Sequence, residues 1–387
     1  MKSIAVLFAP GFEESEGLTI VDVLRRAQLP AVSVAVPESP VTGAHGISLK
    51  ADALLADVDP EKVGMVVIPG GYDGVDALLG CEAALELVRA VDRQGGWLAA
   101  ICAGPRVLDR AGALAGKRYA CYPGQEEKIA SGMRCEGLVV RDGNVITAPG
   151  PATVYAFAYA LVDALGGDSL AVKNRMVYFN AFEEAAALRL ETAEPPRATG
   201  AGRRVAVLMK EGFEEGETFS IVDILRRLGF ACETYGFADD LWIKGMHGMV
   251  LRADKRFPDD IETCDAVVLP GGRPGGENLR QDPEVLGLLR RWNGQPGKYL
   301  TALCSGTTVL AAAGVIAGKR MTGYTGYAEK LPGAEFVEEV AVADANLVTS
   351  QGPATGYPFA FKLAETLGAD TCEVRARLLY AYAGGKG

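Results

Sequence analysis

Two cysteines sit in matching, chemically suggestive turns. Ala99-Ala100-Ile101-Cys102-Ala103-Gly104-Pro105 sets Cys102 after an apolar run and before small residues, and Thr301-Ala302-Leu303-Cys304-Ser305-Gly306-Thr307 repeats the pattern. A strand that turns sharply into a helix needs small residues after the bend, and a side chain at the bend is presented as a nucleophile. At a helix N-terminus the backbone dipole favours the thiolate. A lone buried cysteine is usually a small packing hydrophobe, but recurrence at the same turn in two places argues for chemistry. The other six cysteines (Cys81, Cys121, Cys135, Cys232, Cys264, Cys372) do not recur and are expected in packing or surface roles.

Carboxylates are the available acid–base groups. The chain has only His45 and His247, so a His pair or triad in each site is nearly excluded. Gly11-Phe12-Glu13-Glu14-Ser15-Glu16 returns as Gly212-Phe213-Glu214-Glu215-Gly216-Glu217. Helix N-terminal charge accounts for Glu13 and Glu14. Glu16 and Glu217 are the candidates to exchange a proton with a thiol or substrate. Pro69-Gly70-Gly71 and Pro270-Gly271-Gly272 end apolar runs. They read equally as tight turns or, with the N–H after each cysteine, as oxyanion holes. His45 and His247 lie between glycines, as turn residues or as hydrogen-bonding groups at the mouth of the crevice. A single His without clustered partners makes a poor metal site, so no metal or other cofactor is expected.

These residues need a scaffold that brings them together twice. The Glu loop, Ile20-Val21-Asp22-Val23-Leu24-Arg25-Arg26, the Pro-Gly-Gly turn, the cysteine turn and Gly150-Pro151-Ala152-Thr153 all recur in order about 200 residues later. One domain is therefore used twice: residues 1–184 and 204–387, joined by a Pro-, Ala- and Gly-rich linker over 185–203. Apolar runs at Ile4–Phe8, Ala31–Val36, Val63–Pro69 and Trp97–Cys102 read as strands. Gly17–Ala27, Ala83–Gln94, a segment beginning at Pro105, and Thr153–Leu165 read as helices, with a short strand at Val145–Ala148. Alternating strands and helices imply an α/β, doubly wound, mostly parallel sheet, in which ligands bind beyond the carboxyl ends of the strands.

Composition excludes other classes. The 387 residues carry 39 basic and 49 acidic side chains, a net charge of −10, which argues against nucleic acid and anionic membrane as partners. No apolar run approaches a membrane span. The N-terminus lacks a signal-peptide pattern, and scattered cysteines suit a reducing cytoplasm.

The Glu loop, the Val-Asp-Val/Ile-Leu-Arg-Arg segment, the Pro-Gly-Gly turn, Ala-Ile-Cys-Ala-Gly-Pro and Gly-Pro-Ala-Thr together resemble the ThiJ/PfpI (DJ-one) superfamily over nearly the whole of both repeats. The resemblance implies two tandem flavodoxin-like sandwiches. It implies that Cys102 pairs with Glu16 and Cys304 with Glu217, with oxyanion holes from Gly71 and Ala103 and from Gly272 and Ser305. Tandem members resemble glutathione-independent, metal-free glyoxalases, which convert methylglyoxal or glyoxal to a hydroxy acid. Ala103 and Ser305 stand where protease-like members carry His, which argues against a peptidase. Tyr122 and Tyr324 stand where many small members place a His beside the cysteine. His45 and His247 occupy a position where small members often have Arg, and so are expected to line the pocket. A redox-sensing thiol and another small-molecule hydrolase or hydratase are the alternatives. The partner is then a small carbonyl compound, and the tandem chain mimics a family dimer internally or oligomerises further.

Overall fold

The computed structural model describes residues 2–183, 200 and 202–386, and the expected linker lies outside these apart from residues 200, 202 and 203. Each repeat builds a seven-stranded sheet. In the first, the strands in chain order are β1 (Ser3–Phe8), β2 (Ala31–Ala35), β3 (Ala53–Leu54), β4 (Val63–Ile68), β5 (Trp97–Ile101), β6 (Val140–Asp142) and β7 (Val145–Ala148). Their order across the sheet is β6-β7-β5-β4-β1-β2-β3. All neighbours run parallel except the β6–β7 hairpin. The second repeat lays out β8 (Arg204–Met209), β9 (Ala231–Gly236), β10 (Lys255–Arg256), β11 (Ala266–Leu269), β12 (Tyr299–Leu303), β13 (Ala341–Asp344) and β14 (Leu347–Ser350) in the equivalent order, β13-β14-β12-β11-β8-β9-β10.

The continuous apolar runs have the expected cause. Ile4, Ala5, Val6, Leu7 and Phe8 are all buried, so both faces of β1 are covered, as a parallel sheet flanked by helices requires. The first repeat contributes helices α1 (Glu14–Arg26), α2 (Tyr72–Leu79), α3 (Glu82–Arg93), α4 (Pro105–Arg110) and α5 (Val154–Ala164). Helix α1 carries Glu14 and Glu16 in its first turn and Arg25 and Arg26 in its last, the charge order that the helix dipole favours. It packs on α5. After β1 the chain moves outward to β2 and β3, then crosses back to β4 on the other side of β1. The switch point lies between β1 and β4, and there the carboxyl ends of neighbouring strands leave a crevice.

The compact units do not follow the repeat boundaries throughout. Among the described residues the first unit comprises 2–173, 183 and 375–385, and the second comprises 174–182, 200, 202–374 and 386. The expected domains, 1–184 and 204–387, are therefore corrected at two short segments. The physical reason is hydrogen bonding. The Ala152 N–H donates to the Leu378 carbonyl at 2.8 Å, and the Ala354 N–H donates to the Met176 carbonyl at 3.0 Å. Among the described residues no helix is long and apolar enough to cross a membrane.

Candidate active site

Three loops converge at the switch point of the first unit. The loop after β1 turns at Gly11 (φ +82°) and enters α1. The Glu13 N–H donates to the Gly70 carbonyl at 2.9 Å, and the Gly70 N–H donates to Glu16 Oε2 at 2.6 Å. The loop after β4 is thus tied to the loop after β1 in both directions. The third loop begins at Cys102, whose N–H donates to the Ala148 carbonyl at 3.0 Å and whose own carbonyl accepts the Tyr122 N–H at 3.0 Å.

Cys102 has φ +62° and Cys304 has φ +53°. A side chain in this left-handed region is uncommon and costs on the order of 1–3 kcal/mol. The sharp turn expected from the small residues is therefore present in both repeats. Cys102 is 8% exposed, while Cys304 is more open. Glu16 and Glu217 are fully buried, and the Glu16 carboxyl and the Cys102 thiol both lie against Gly70.

Gly70 fits between thiol and carboxyl. A Cβ there would lie 2.4 Å from Glu16 Oε2, 2.6 Å from Cys102 Cβ and 2.9 Å from Cys102 Sγ. At Gly271 it would lie 3.0 Å from both Cys304 Sγ and Glu217 Oε2, and the Gly271 N–H reaches Glu217 Oε2 at 2.6 Å. The second unit thus repeats the thiol–carboxyl arrangement.

Electrostatics correct one expectation. Burial, then the negative charges of Glu16 and Glu13, push the Cys102 thiol well above the ordinary cysteine range, and the Ala103 N–H aimed at the sulfur opposes them only in part. The elbow does not by itself favour a thiolate. Desolvation and the two carboxylates outweigh what the helix N-terminus offers the sulfur. Glu16→Gln is expected to move Cys102 ionisation to lower pH, because it removes a negative charge while leaving an oxygen to accept the Gly70 N–H. The pH profile of iodoacetamide alkylation, followed at the Cys102 peptide, checks this. A profile superimposable on wild type would contradict the assignment.

The remaining candidates fall into three groups. Ala103 faces the sulfur through its N–H, and Gly71 (φ +92°) opens α2 beside it. In the second unit the Ser305 hydroxyl donates to the Gly272 carbonyl at 3.2 Å, a bond that Ala103 cannot make. Tyr122 touches the cysteine loop through its backbone, while its hydroxyl donates to the Arg377 carbonyl at 3.1 Å. The Tyr324 hydroxyl does the same to Arg175 at 2.9 Å.

The histidines serve the acidic loop. The backbone N–H of His45 donates to Glu14 Oε1 at 2.7 Å, its Nδ1 lies 3.0 Å from Glu14 Oε2, and the Ile47 N–H adds a contact at 3.2 Å. His247 and Glu215 repeat the set. Glu14 and Glu215 are thus buried anchors for a hairpin turn, more than the simple N-terminal charges expected. Nor is each His without clustered partners, since Glu13, Glu14 and His45 offer ligand-type atoms within 4.8 Å of one another.

The rim carries no motif that the sequence singles out. Tyr72, half exposed at the first turn of α2, has its phenol pushed up by burial and by the nearby Cys102 charge. Arg377 opposes this, Glu16 adds to it, and Arg106 opposes it. Arg106 is held by Asp76 at 2.8 Å. The second repeat has Arg273 and Thr308 at the positions of Tyr72 and Arg106, so the two sites share a core and differ at the rim. Comparing the two copies of the Pro-Gly-Gly and cysteine turns was the signal that could have found this.

The DJ-1/PfpI family profile matches residues 2–164 and again 203–366. Protein DJ-1 homolog B of Arabidopsis thaliana is 30% identical over 373 residues, covering 94% of this chain and 84% of that protein. Protein DJ-1 homolog A of the same plant is 29% identical over 379 residues, covering 94% of each. The glutathione-independent glyoxalase DJR-1.2 of Caenorhabditis elegans is 34% identical over 169 residues, covering 43% of this chain and 90% of its own length. With the same fold and a cysteine beside a buried Glu in both repeats, this chain belongs to the DJ-1/PfpI family as a tandem of two family domains.

Proposed function

We propose that the chain is a cysteine-dependent enzyme of small reactive carbonyls, converting methylglyoxal or glyoxal to the corresponding hydroxy acid without glutathione. The observation that carries this is a buried thiol set beside a buried carboxyl, Cys102 with Glu16. The naming of a similar nematode protein as a glutathione-independent glyoxalase supports the choice of substrate.

The chemistry needs nothing beyond substrate and water. The Glu16 carboxylate takes the thiol proton as sulfur attacks the aldehyde carbon, forming the C–S bond and moving the carbonyl electron pair onto oxygen. The N–H groups of Gly71 and Ala103 receive that oxyanion, and Glu16 returns the proton to it, giving a hemithioacetal. Glu16 next removes the hydrogen from the sulfur-bearing carbon, and a proton is delivered to the neighbouring carbonyl carbon through an enediol. The result is a thioester. Water cleaves its C–S bond, releasing the hydroxy acid and restoring the thiol. One carbon is oxidised as its neighbour is reduced, so no external redox partner enters. Cys304, Glu217, Gly272 and Ser305 take the same roles in the second unit.

The test is lactate formation from methylglyoxal by the purified chain in glutathione-free buffer. No lactate would sink the reading. A stable sulfinate on Cys102 after peroxide treatment of such an inactive protein would favour the sensor instead.

A further inference from the structure

The second unit contains a cavity of about 460 Å³ lined by Lys210, Glu211, Phe237, Trp242, Lys244 and Asn278, among others. It lies at the carboxyl ends of β8 and β9, on the far side of β8 from the Cys304 loop. Neither Cys304 nor Glu217 lines it.

The first repeat supplies an internal comparison. The Gly11 N–H donates to the Thr42 carbonyl as the Gly212 N–H donates to the Lys244 carbonyl, which fixes the correspondence of the two loops. In that register the first repeat has Ala9, Val36, Pro40, Thr42 and Ala77 where the second has Lys210, Phe237, Trp242, Lys244 and Asn278. Five positions converge on one cavity, and each has gained a larger aromatic, cationic or amide side chain. The shared fold does not require any of them.

The lining specifies a ligand. Phe237 is backed by Phe257, stacked at 4.7 Å, and so presents a fixed wall. Trp242 and Lys244 alternate with buried Ile243 along a short strand, so both project to the same side. The Lys210 ammonium lies 4.6 Å from the Phe237 ring centroid and bonds Asp282 and the Asn278 carbonyl. An ammonium carries three N–H donors, so one remains beyond these two partners. Lys244 is exposed at the rim. Lys210 is paired with Asp282, so the charge offered to a ligand is that of Lys244, with the third Lys210 N–H as a hydrogen-bond donor. A cavity of several hundred Å³ with aromatic walls and a few polar groups is the usual form of a small-molecule site.

We propose that this cavity is a second ligand site, distinct from the cysteine pocket, for a small planar carboxylate whose ring lies against Trp242 at the edge of Phe237 and whose charge is met by Lys244, with an N–H of Lys210 beside it. The test is calorimetric titration of the full chain with benzoate, with benzamide (ring without charge) and with acetate (charge without ring). Benzoate is expected to bind, with benzamide and acetate weaker by about tenfold or more. Lys244→Glu, on an exposed side chain, should weaken benzoate by a similar factor, and Trp242→Ala should weaken it as well. Prior alkylation of Cys102 and Cys304 should leave benzoate affinity unchanged. The proposal is overturned if benzoate does not bind, if Lys244→Glu binds it as wild type does, or if alkylation abolishes binding. None of these readouts depends on carbonyl turnover, so failure here is separable from failure of the proposed activity.

Discussion

Replacing both elbow cysteines, Cys102→Ala with Cys304→Ala, is expected to lower lactate formation from methylglyoxal by about a thousandfold or more. The sulfur forms the covalent bond that makes the adjacent C–H acidic, and no other side chain in the crevice can supply it. Glu16 alone is a base without an activated substrate. The single variants carry separate information. Each unit contains its own thiol, carboxyl and glycine turn, so the rates of Cys102→Ala and Cys304→Ala should sum to that of wild type. Unequal shares are expected, because Cys304 is more open and its rim carries Arg273 and Thr308 in place of Tyr72 and Arg106. A double variant that retains wild-type turnover would remove the cysteine from the mechanism.

Gly71→Ala is expected to destabilise the first unit by about 3 kcal/mol or more. Gly71 has φ +92°, and a Cβ there would lie 2.3 Å from the Gly11 carbonyl oxygen and 2.6 Å from the Glu13 nitrogen. Both are backbone atoms, so no rotamer change relieves the overlap. The loops after β1 and β4 would have to part, breaking the Glu13–Gly70 and Gly70–Glu16 hydrogen bonds together. Gly272→Ala meets the same geometry, with φ +108° and 2.2 Å to the Gly212 carbonyl. Thermal unfolding checks this, and a Gly71→Ala protein that melts with wild type would contradict it.

Much of the scaffold is legible in the sequence because its signals are local. Buried strands are uninterrupted apolar runs, and Val145–Ala148 matches its predicted span. The elbow is legible because only small residues permit the bend. Helix α2 is not legible, since Gly74 interrupts Tyr72–Leu79. The structure explains that glycine: a Cβ would lie 2.8 Å from the Phe12 nitrogen, so the residue that weakens helix propensity also lets the helix approach the acidic loop. Helix α1 begins at Glu14, earlier than Gly17, because Glu14 and Glu16 are buried with partners supplied by distant turns. The rise in the Cys102 proton affinity escaped for the same reason. A dipole can be inferred from a turn, but desolvation and two carboxylates depend on what the fold places around it. The Tyr122 hydroxyl bond to Arg377 spans most of the chain, and no local pattern announces it.

That last contact makes the first repeat's site depend on a segment encoded after the second repeat's strands. Residues 375–385 belong to the first compact unit, where Arg377 and Leu378 meet Tyr122 and Ala152, close behind the Cys102 loop. Ribosomal synthesis delivers this segment after every strand of the second repeat, so the site encoded earlier in the message is the later of the two to be finished. A stop codon ahead of residue 375 that spares every residue of the second repeat's own Cys–Glu pair would injure the first repeat's pair instead. Duplication has left two sites that are alike in their residues and unequal in when they are completed.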